Sequence, residues 1–360
     1  MTFLKRFQSS LESLSAQSSL QLSSVKPAYV VAFSGGVDSH VLLHCCKQLD
    51  IDVRAVHVHH GLQSVADYWV NHCQEICQAM DIPLDVLYVD AQPQRGQSPE
   101  EAARTVRYQA LMANLQADEC LLTAQHRDDQ AETLLLQLFR TASAAGLAAM
   151  PASRAFGKGV HLRPLLEFSR SDIESFAEEQ QLHWIEDPSN NDTAFDRNYL
   201  RASVMPLLQE RWPEVTSQMS TVAALQANNL QVLDDMAEVD LADASAVSQS
   251  DFVPFSYDVI SVLSLSRLKQ FSSARLLNML RLWVSRSVGS PARKLLAELE
   301  SGLIHTQADA NPVIEFSGHQ FRKYQHVLYC LKPKLSIIKT TGESVGEKPL
   351  VSWQPSTLSL

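Results

Sequence analysis

At 360 residues with 45% hydrophobic side chains, the chain can bury a substantial core and has room for two or three domains, which excludes a small stapled fold. A formal net charge of −10 argues against a protein that coats nucleic acid non-specifically, so any RNA contact must rest on local charge. Six cysteines without C-x-x-C spacing read as buried reduced thiols in a cytosolic setting, and no apolar run is long enough to cross a bilayer. The first 22 residues are amphipathic and serine-rich, without the continuous apolar stretch of a leader.

The first strong signal is the apolar run Tyr29-Val30-Val31-Ala32-Phe33, followed by Ser34-Gly35-Gly36-Val37-Asp38-Ser39 and then Val41-Leu42-Leu43. This order predicts a buried strand, a glycine-rich turn and a helix. The glycines let backbone approach an anion, and the turn's N–H groups with the helix N-terminus supply partial positive charge where a nucleotide's phosphates would sit. No Lys follows the glycines as in a Walker loop, and no G-x-G-x-x-G is present. Asp38 adds a carboxylate facing the phosphates, which makes sense with a Mg²⁺ between the two negative groups. A plain strand-to-helix turn would not require two glycines, two serines and an acid together.

Val53 to Val58 predicts a second parallel strand, ending in His57, His59, His60 and Gly61 near the same crevice. Those histidines either line the nucleotide pocket or hold zinc, although neither cysteines nor carboxylates recur nearby at ligand spacing. Asp67 to Met80 has helical periodicity, Leu84 to Val89 alternates like a strand, and Pro93 to Gln97 forms a loop. Ser98-Pro99-Glu100-Glu101 then opens a helix with an N-cap, a first-turn proline and a capping-box glutamate. Arg104 and Arg107 share a face of that helix, either to meet an anion or to pair with Glu100 and Glu101. Leu121 to Ala124 predicts a short strand, and Gln125-His126-Arg127-Asp128-Asp129-Gln130-Ala131-Glu132-Thr133 a strand-to-helix junction. Asp129 and Glu132 lie three apart on one helical face, a geometry that grips an ammonium group or a metal, or simply serves the helix dipole.

Arg163-Pro164-Leu165-Leu166, a helix over Arg170 to Gln180, and the polar loop Trp184 to Asp192 follow, with Arg197 and Arg201 one turn apart beyond it. Past Pro213 the pattern is helical without further βαβ signals, irregular near Pro254, extended from Val313 to Leu331, and rich in Ser, Pro and Gly from Thr340 onward. Between Val259 and Ala297 no acid occurs, while Arg267, Lys269, Arg275, Arg281, Arg286, Arg293 and Lys294 do. That segment is either a backbone-phosphate surface or a solvated helical face. The fold class expected is α/β, a doubly wound parallel sheet with a second, mainly helical domain.

The loop Ser34 to Ser39 resembles the signature of the PP-loop, or N-type ATP pyrophosphatase, superfamily. His57-Val58-His59-His60-Gly61-Leu62, Thr123 to Thr133, Arg163 to Leu166, Trp184 to Asn190 and Arg197-Asn198-Tyr199-Leu200-Arg201 narrow the resemblance to the tRNA(Ile)-lysidine synthase family, almost continuously from Tyr29 to Pro213. The resemblance implies a Rossmann-like catalytic domain over 1–215, a tRNA-binding domain over 216–332, and a linker or remnant of a further domain over 333–360. It implies coupling of free L-lysine to carbon 2 of the wobble cytidine of a CAU anticodon, at the expense of ATP, with a homodimer as one assembly it allows.

By that resemblance Ser34, Gly35, Gly36, Val37 and Ser39 hold the pyrophosphate portion of ATP, Asp38 binds Mg²⁺, and Ala32, Phe33 and His57 neighbour the adenine. Asp129 and Glu132 bind the amino groups of lysine. Arg104 or Arg107, with Arg201, stabilise phosphate or the intermediate, and His126 is a candidate proton acceptor. Arg197, Arg267, Lys269, Arg275 and Arg281 are expected against the tRNA. The chain departs from the family in having Arg140-Thr141-Ala142-Ser143 where an Arg-Gly-Ser/Ala-Gly pattern is usual. It also ends where longer members continue into a domain for the acceptor stem, as a short natural form or a truncated one. Two rival readings remain open: a thiolase of the same superfamily, for which Cys73 and Cys77 are the only close pair beyond the adjacent Cys45 and Cys46, and a catalytically impaired tRNA-binding homologue.

Overall fold

The computed structural model describes residues 1–18, 28–59, 66–92, 99–140, 143–245, 257–306 and 312–333. His60 to Leu62, the Pro93–Gln97 loop, Ser98, Thr141, Ala142, Pro254 and the segment from Thr340 lie outside the described residues. Two compact units divide at Leu233/Asp234. The first runs α1 (Phe3–Ser18), β1 (Ala28–Ala32), α2 (Val37–Gln48), β2 (Val53–His59), α3 (Ala66–Ala79), β3 (Leu84–Tyr88), α4 (Pro99–Asn114), β4 (Glu119–Leu122) and α5 (Arg127–Phe139). It continues with α6 (Ala144–Leu147), β5 (Ser153–Phe156), β6 (Gly159–Leu162), α7 (Arg170–Glu179), α8 (Asp196–Tyr199), α9 (Met205–Arg211) and the start of α10 (Val215–Ala244).

The strands form one sheet in the order β3-β2-β1-β4-β6-β5, parallel except for the β5–β6 hairpin at one edge. Central strands are buried on both faces, which is why β1 and β4 read as continuous apolar runs. Val31 faces a core with Phe7, Leu42, Cys46 and Leu165, whereas Val30 faces another with Leu111, Leu121 and Phe156. The edge strand β3 alternates instead and leaves Tyr88 exposed. Strand order reverses between β1 and β4, so the carboxyl ends of these strands flank the crevice where open α/β sheets bind ligands. At the opposite end, Arg54 donates to Glu119 at 2.9 and 2.7 Å, to Asp85 at 2.7 Å and to Asn114 at 2.8 Å, tying β2, β3, β4 and α4 together. Burial works to raise the Glu119 pKa, but the Arg54 hydrogen bonds and charge outweigh it and hold it below its ordinary value.

Gly159 opens β6 where a Cβ would stand 2.0 Å from the Glu119 carbonyl oxygen and 3.1 Å from Leu115. The obstacle is backbone, so it cannot swing away. Gly159→Ala is expected to cost about 3 kcal/mol, lowering the melting temperature of this unit by roughly 5–10 °C in a calorimetric scan. An unchanged transition would mean that β6 can separate from β4 at no cost.

The second unit begins within α10 and contains β7 (Tyr257–Ser264), α11 (Leu265–Leu268), α12 (Ser273–Ser287), α13 (Arg293–Leu299), β8 (Val313–Phe316), β9 (His319–Tyr324) and β10 (Val327–Pro333). Leu276, Met279, Leu280, Trp283 and Val284 of α12 recur at helical spacing and face a core with Leu263, Phe321 and Leu328. The extended region expected from Val313 to Leu331 is present as β8, β9 and β10. Beyond expectation, β7 joins them in an antiparallel sheet ordered β7-β10-β9-β8. Its alternation is broken because it is an edge strand whose register shifts opposite Cys330/Leu331, leaving Val259 and Ile260 both exposed. The unit is thus helix-rich around a four-stranded sheet, and the expected boundary at 215/216 falls at the start of α10.

Candidate active site

The loop between β1 and α2 has the backbone its glycines promise. Gly35 adopts φ +85°, and a Cβ there would meet Cys73 Sγ at 3.1 Å, so both conformation and space call for glycine. Ser39 Oγ donates to the Gly36 carbonyl at 3.0 Å and accepts the Ser34 N–H at 3.2 Å, while Ser34 Oγ lies 3.0 Å from it and accepts the Gly36 N–H at 3.4 Å. The two serines therefore brace the turn from within. Gly36 is the N-cap of α2, with no side chain capping it, and the first N–H groups of a helix have no carbonyl of their own to bond. Ile185, from the polar loop, closes on this turn by donating its N–H to the Gly35 carbonyl at 3.0 Å.

Asp38 sits in the first turn of α2, and its Oδ1 is buried with no hydrogen-bond partner. Burial pushes its pKa up, against the nearby charges of His126, Arg170 and Arg201. Across 3.8 Å lies His126 Nε2, on a buried imidazole that also approaches Asp129 Oδ2 at 3.5 Å and, through Nδ1, Asp128 Oδ2 at 3.6 Å. Burial alone would lower the His126 pKa; the three carboxylates overcome it and hold the ring's pKa above its ordinary value. The imidazole is thus flanked by three acids. Its backbone N–H donates to Asp129 at 3.1 Å and fixes the start of α5.

Asp129 and Glu132 do share a face of α5, and that face meets Arg201. Arg201 donates to Glu132 at 2.8 and 3.0 Å and to Asp129 at 3.3 Å. Arg197 lies 3.7 Å from Glu132 and donates to Thr133 at 3.1 Å. Beyond Arg197 the helix opens into a π turn over Leu200–Val204 that carries Arg201, a local widening that re-aims side chains. Glu132 is only 2% exposed, and burial raises its pKa despite the arginines.

The structure thus brings Ser34, Gly35, Gly36, Val37, Asp38, Ser39, His126, Asp129, Glu132, Arg197 and Arg201 around the β1–β4 crevice. His57 lies beside the loop, its Nδ1 donating to the Phe33 carbonyl at 2.9 Å, with burial lowering its pKa. It acts on the loop as a neutral brace. Ala32 and Phe33 end the strand beneath, Phe33 fully in the core. Arg104 and Arg107 are exposed on α4, and Arg104 stacks 5.2 Å over Tyr108. Arg140 and Ser143, which bound the segment departing from the family pattern, hold ordinary negative φ values. Sequence reasoning missed the Ile185 contact, which no motif announces because it is made by backbone.

Cys73 and Cys77 are buried, and burial pushes their thiols up to about 12 and about 11. Thiols held protonated at neutral pH are poor nucleophiles. Replacing both with Ala is expected to leave AMP formation within about threefold; a loss of a hundredfold or more would revive sulfur chemistry.

The basic segment of the second unit is not one-signed in space. Arg275 pairs with Asp240 (3.1 Å), Arg281 with Asp234, Arg286 with Glu238 (2.8 Å) and Arg267 with Asp243 (3.7 Å). All four acids lie on α10, so the charges expected to face RNA are largely offset within the unit. Among the described residues, Lys269 and Arg293 are exposed and stand in no ion pair.

Comparison with known proteins agrees with this geometry. The PP-loop domain family matches residues 4–208, and the TilS substrate binding domain matches residues 263–329. The chain is 42% identical over 328 residues to a tRNA(Ile)-lysidine synthase from Methylococcus capsulatus, covering 89% of this chain and 72% of that one. It is 42% identical over 324 residues to the protein of the same name from Serratia proteamaculans, covering 88% and 71%. Among solved structures it is similar to the U34-tRNA thiolase NcsA from Methanococcus maripaludis, with a TM-score of 0.48 and 14% identity over 61% of this chain and 80% of that one. Among the described residues no helix is long and apolar enough to cross a membrane.

Proposed function

The chain belongs to the tRNA(Ile)-lysidine synthase family, and from that premise we propose that it ligates L-lysine to carbon 2 of the wobble cytidine of a CAU-anticodon tRNA(Ile), using ATP and releasing AMP and pyrophosphate. The observation that carries the reading is the juxtaposition, through His126, of the unpartnered Asp38 carboxylate on the glycine cradle with the Asp129–Glu132 acids. One side of this crevice suits phosphates, the other an ammonium group.

A 2-oxo oxygen of cytosine is a poor leaving group. Its attack on the α-phosphate breaks the bond to the β-phosphate, expels pyrophosphate and gives an adenylated base. The lysine ε-amine, having lost a proton, then forms the bond to carbon 2 as the carbon–oxygen bond breaks and AMP leaves. The turn's N–H groups and Ser34 and Ser39 would bind the departing pyrophosphate. Asp129 and Glu132 would orient lysine, with Arg201 redistributing its hydrogen bonds to admit the ligand. Nothing in the loop itself offers a cation, unlike a Walker loop.

Mg²⁺ fits this site: Asp38 Oδ1 is a hard oxygen, buried and unpartnered, and Mg²⁺ is commonly held by one or two carboxylates plus substrate phosphates. Among the described residues no group of three or more side chains is placed to hold a metal ion by itself. When bound it would offset negative charge on the transferring group. Residues 1–215 would supply this chemistry and 216–332 a substrate domain, with Lys269 a better RNA contact than Arg267, Arg275 or Arg281, whose charges are offset by acids.

The test is incubation of the purified chain with radiolabelled lysine, ATP and unmodified tRNA. Label is expected in tRNA carrying a CAU anticodon, with one AMP released per lysine incorporated. A folded sample that binds tRNA and releases no pyrophosphate would favour a catalytically impaired homologue.

A further inference from the structure

Beside the crevice, at the carboxyl ends of β4 and β6, two guanidinium groups meet one histidine, with a third against the neighbouring Tyr108 ring. His161 is fully buried; its Nε2 donates to Thr123 Oγ1 at 2.6 Å, and Thr123 in turn donates to Gln125. Its Nδ1 therefore accepts, from Arg154 Nε at 3.3 Å and Arg163 at 3.4 Å. Burial first, and then Arg163, Arg154 and Arg104, push the imidazole down to about 2, so it carries no charge. Arg163 is 2% exposed and its Nε is buried without any partner. Burial lowers its pKa to about 10, which still leaves it cationic at neutral pH.

No carboxylate stands within ion-pair distance of Arg104, Arg154 or Arg163 among the described residues, whereas Arg54, Arg197 and Arg201 of this unit each have one. A buried, uncompensated guanidinium is costly unless an anion completes it. Above it, Arg154 and Arg104 are exposed, with Cζ atoms 5.5 and 5.2 Å from the Tyr108 ring centroid. Tyr108 also contacts His161, its ring 5.8 Å away. The surface thus sets an aromatic ring beside two exposed cations, with a third cation buried nearby.

We propose that this cluster is a phosphate site for the RNA substrate: Arg154 and Arg104 grip a backbone phosphate of the single-stranded anticodon loop, Arg163 supplies a fixed positive potential beneath it, and Tyr108 lies where a neighbouring base can stack. Single-stranded RNA is recognised by this combination of backbone cations and aromatic faces. The cluster lies at the same end of the sheet as the crevice, joined to it through Thr123 and Gln125, which lead directly into His126. The inference rests on the reading of the chain as an RNA-modifying enzyme and deepens it.

Arg154 is the residue to change, since it is exposed and outside the ATP cradle. The dissociation constant for unmodified CAU-anticodon tRNA is measured against salt for the wild-type chain, Arg154→Ala and Arg154→Lys, with ATP affinity measured separately in the absence of tRNA. Arg154→Ala is expected to weaken tRNA binding about tenfold and to reduce the slope of log Kd against log salt by about 0.7, the value for one phosphate contact on a single strand. Arg154→Lys keeps the slope, and ATP affinity is unchanged in both. An unaltered slope in Arg154→Ala overturns the proposal, as does an equal loss of ATP or inorganic pyrophosphate binding, which would assign the cations to the nucleotide. A wild-type chain that binds no tRNA overturns the functional reading itself, a result distinct from either.

Discussion

Asp38→Asn is expected to lower pyrophosphate release from ATP and tRNA by about a thousandfold or more while leaving the protein at least as stable as the wild type. Asn keeps the volume of the side chain and removes its charge. If the carboxylate exists to bring a divalent cation to the phosphates, the amide cannot replace it, and raising Mg²⁺ will not restore the rate. The stability arm follows from the same burial. The Asp38 pKa is raised in the folded protein, so ionisation there is unfavourable to folding. That cost sets in as pH rises through the unfolded-state value near 3.8 and is complete above the folded-state value, so it is present at neutral pH. Removing the charge relieves it. Thermal melts at pH 7 beside a pyrophosphate assay check both arms, and wild-type turnover by Asp38→Asn would remove the basis for a cation at this loop.

The second large effect belongs to Glu132. Glu132→Gln is expected to raise the KM for lysine by roughly 10- to 100-fold while pyrophosphate release measured before lysine is added stays within about threefold of wild type. Gln is preferred to Ala because Glu132 is buried in a bidentate pair with Arg201, and deleting one member of such a pair leaves the other charge stranded. Arg201 can still donate to the amide oxygen. A two-stage assay separates the steps: ATP and tRNA first, lysine afterwards. Should Glu132→Gln lose the first stage as fully as Asp38→Asn, the acids would belong to adenylation and the division of labour drawn here would be wrong.

Much of the nucleotide crevice is legible in sequence because its demands are local. Gly35 needs a positive φ and an open face, Ser34 and Ser39 brace a turn across five positions, and Asp38 must lie in the first helical turn; each constraint acts on neighbours in the chain. The shared face of Asp129 and Glu132 is likewise a matter of helical spacing. What closes that face is not local, since Arg201 reaches Glu132 across 69 positions from a π turn that no propensity announces. The charge of the basic segment is offset for the same reason: its partners Asp234, Glu238, Asp240 and Asp243 sit on an earlier helix, so a stretch without acids is largely balanced on folding. Arg154 carries no motif, and only the β5–β6 hairpin places it opposite His161.

The stretch from Ile185 to Arg201 works as a strap with two unlike buckles. One is a backbone hydrogen bond to Gly35, indifferent to dissolved ions; the other is a clasp of charge on the buried Glu132. With Glu132 only 2% exposed, dissolved ions screen that clasp weakly, so both ends of the strap stay fastened in concentrated electrolyte.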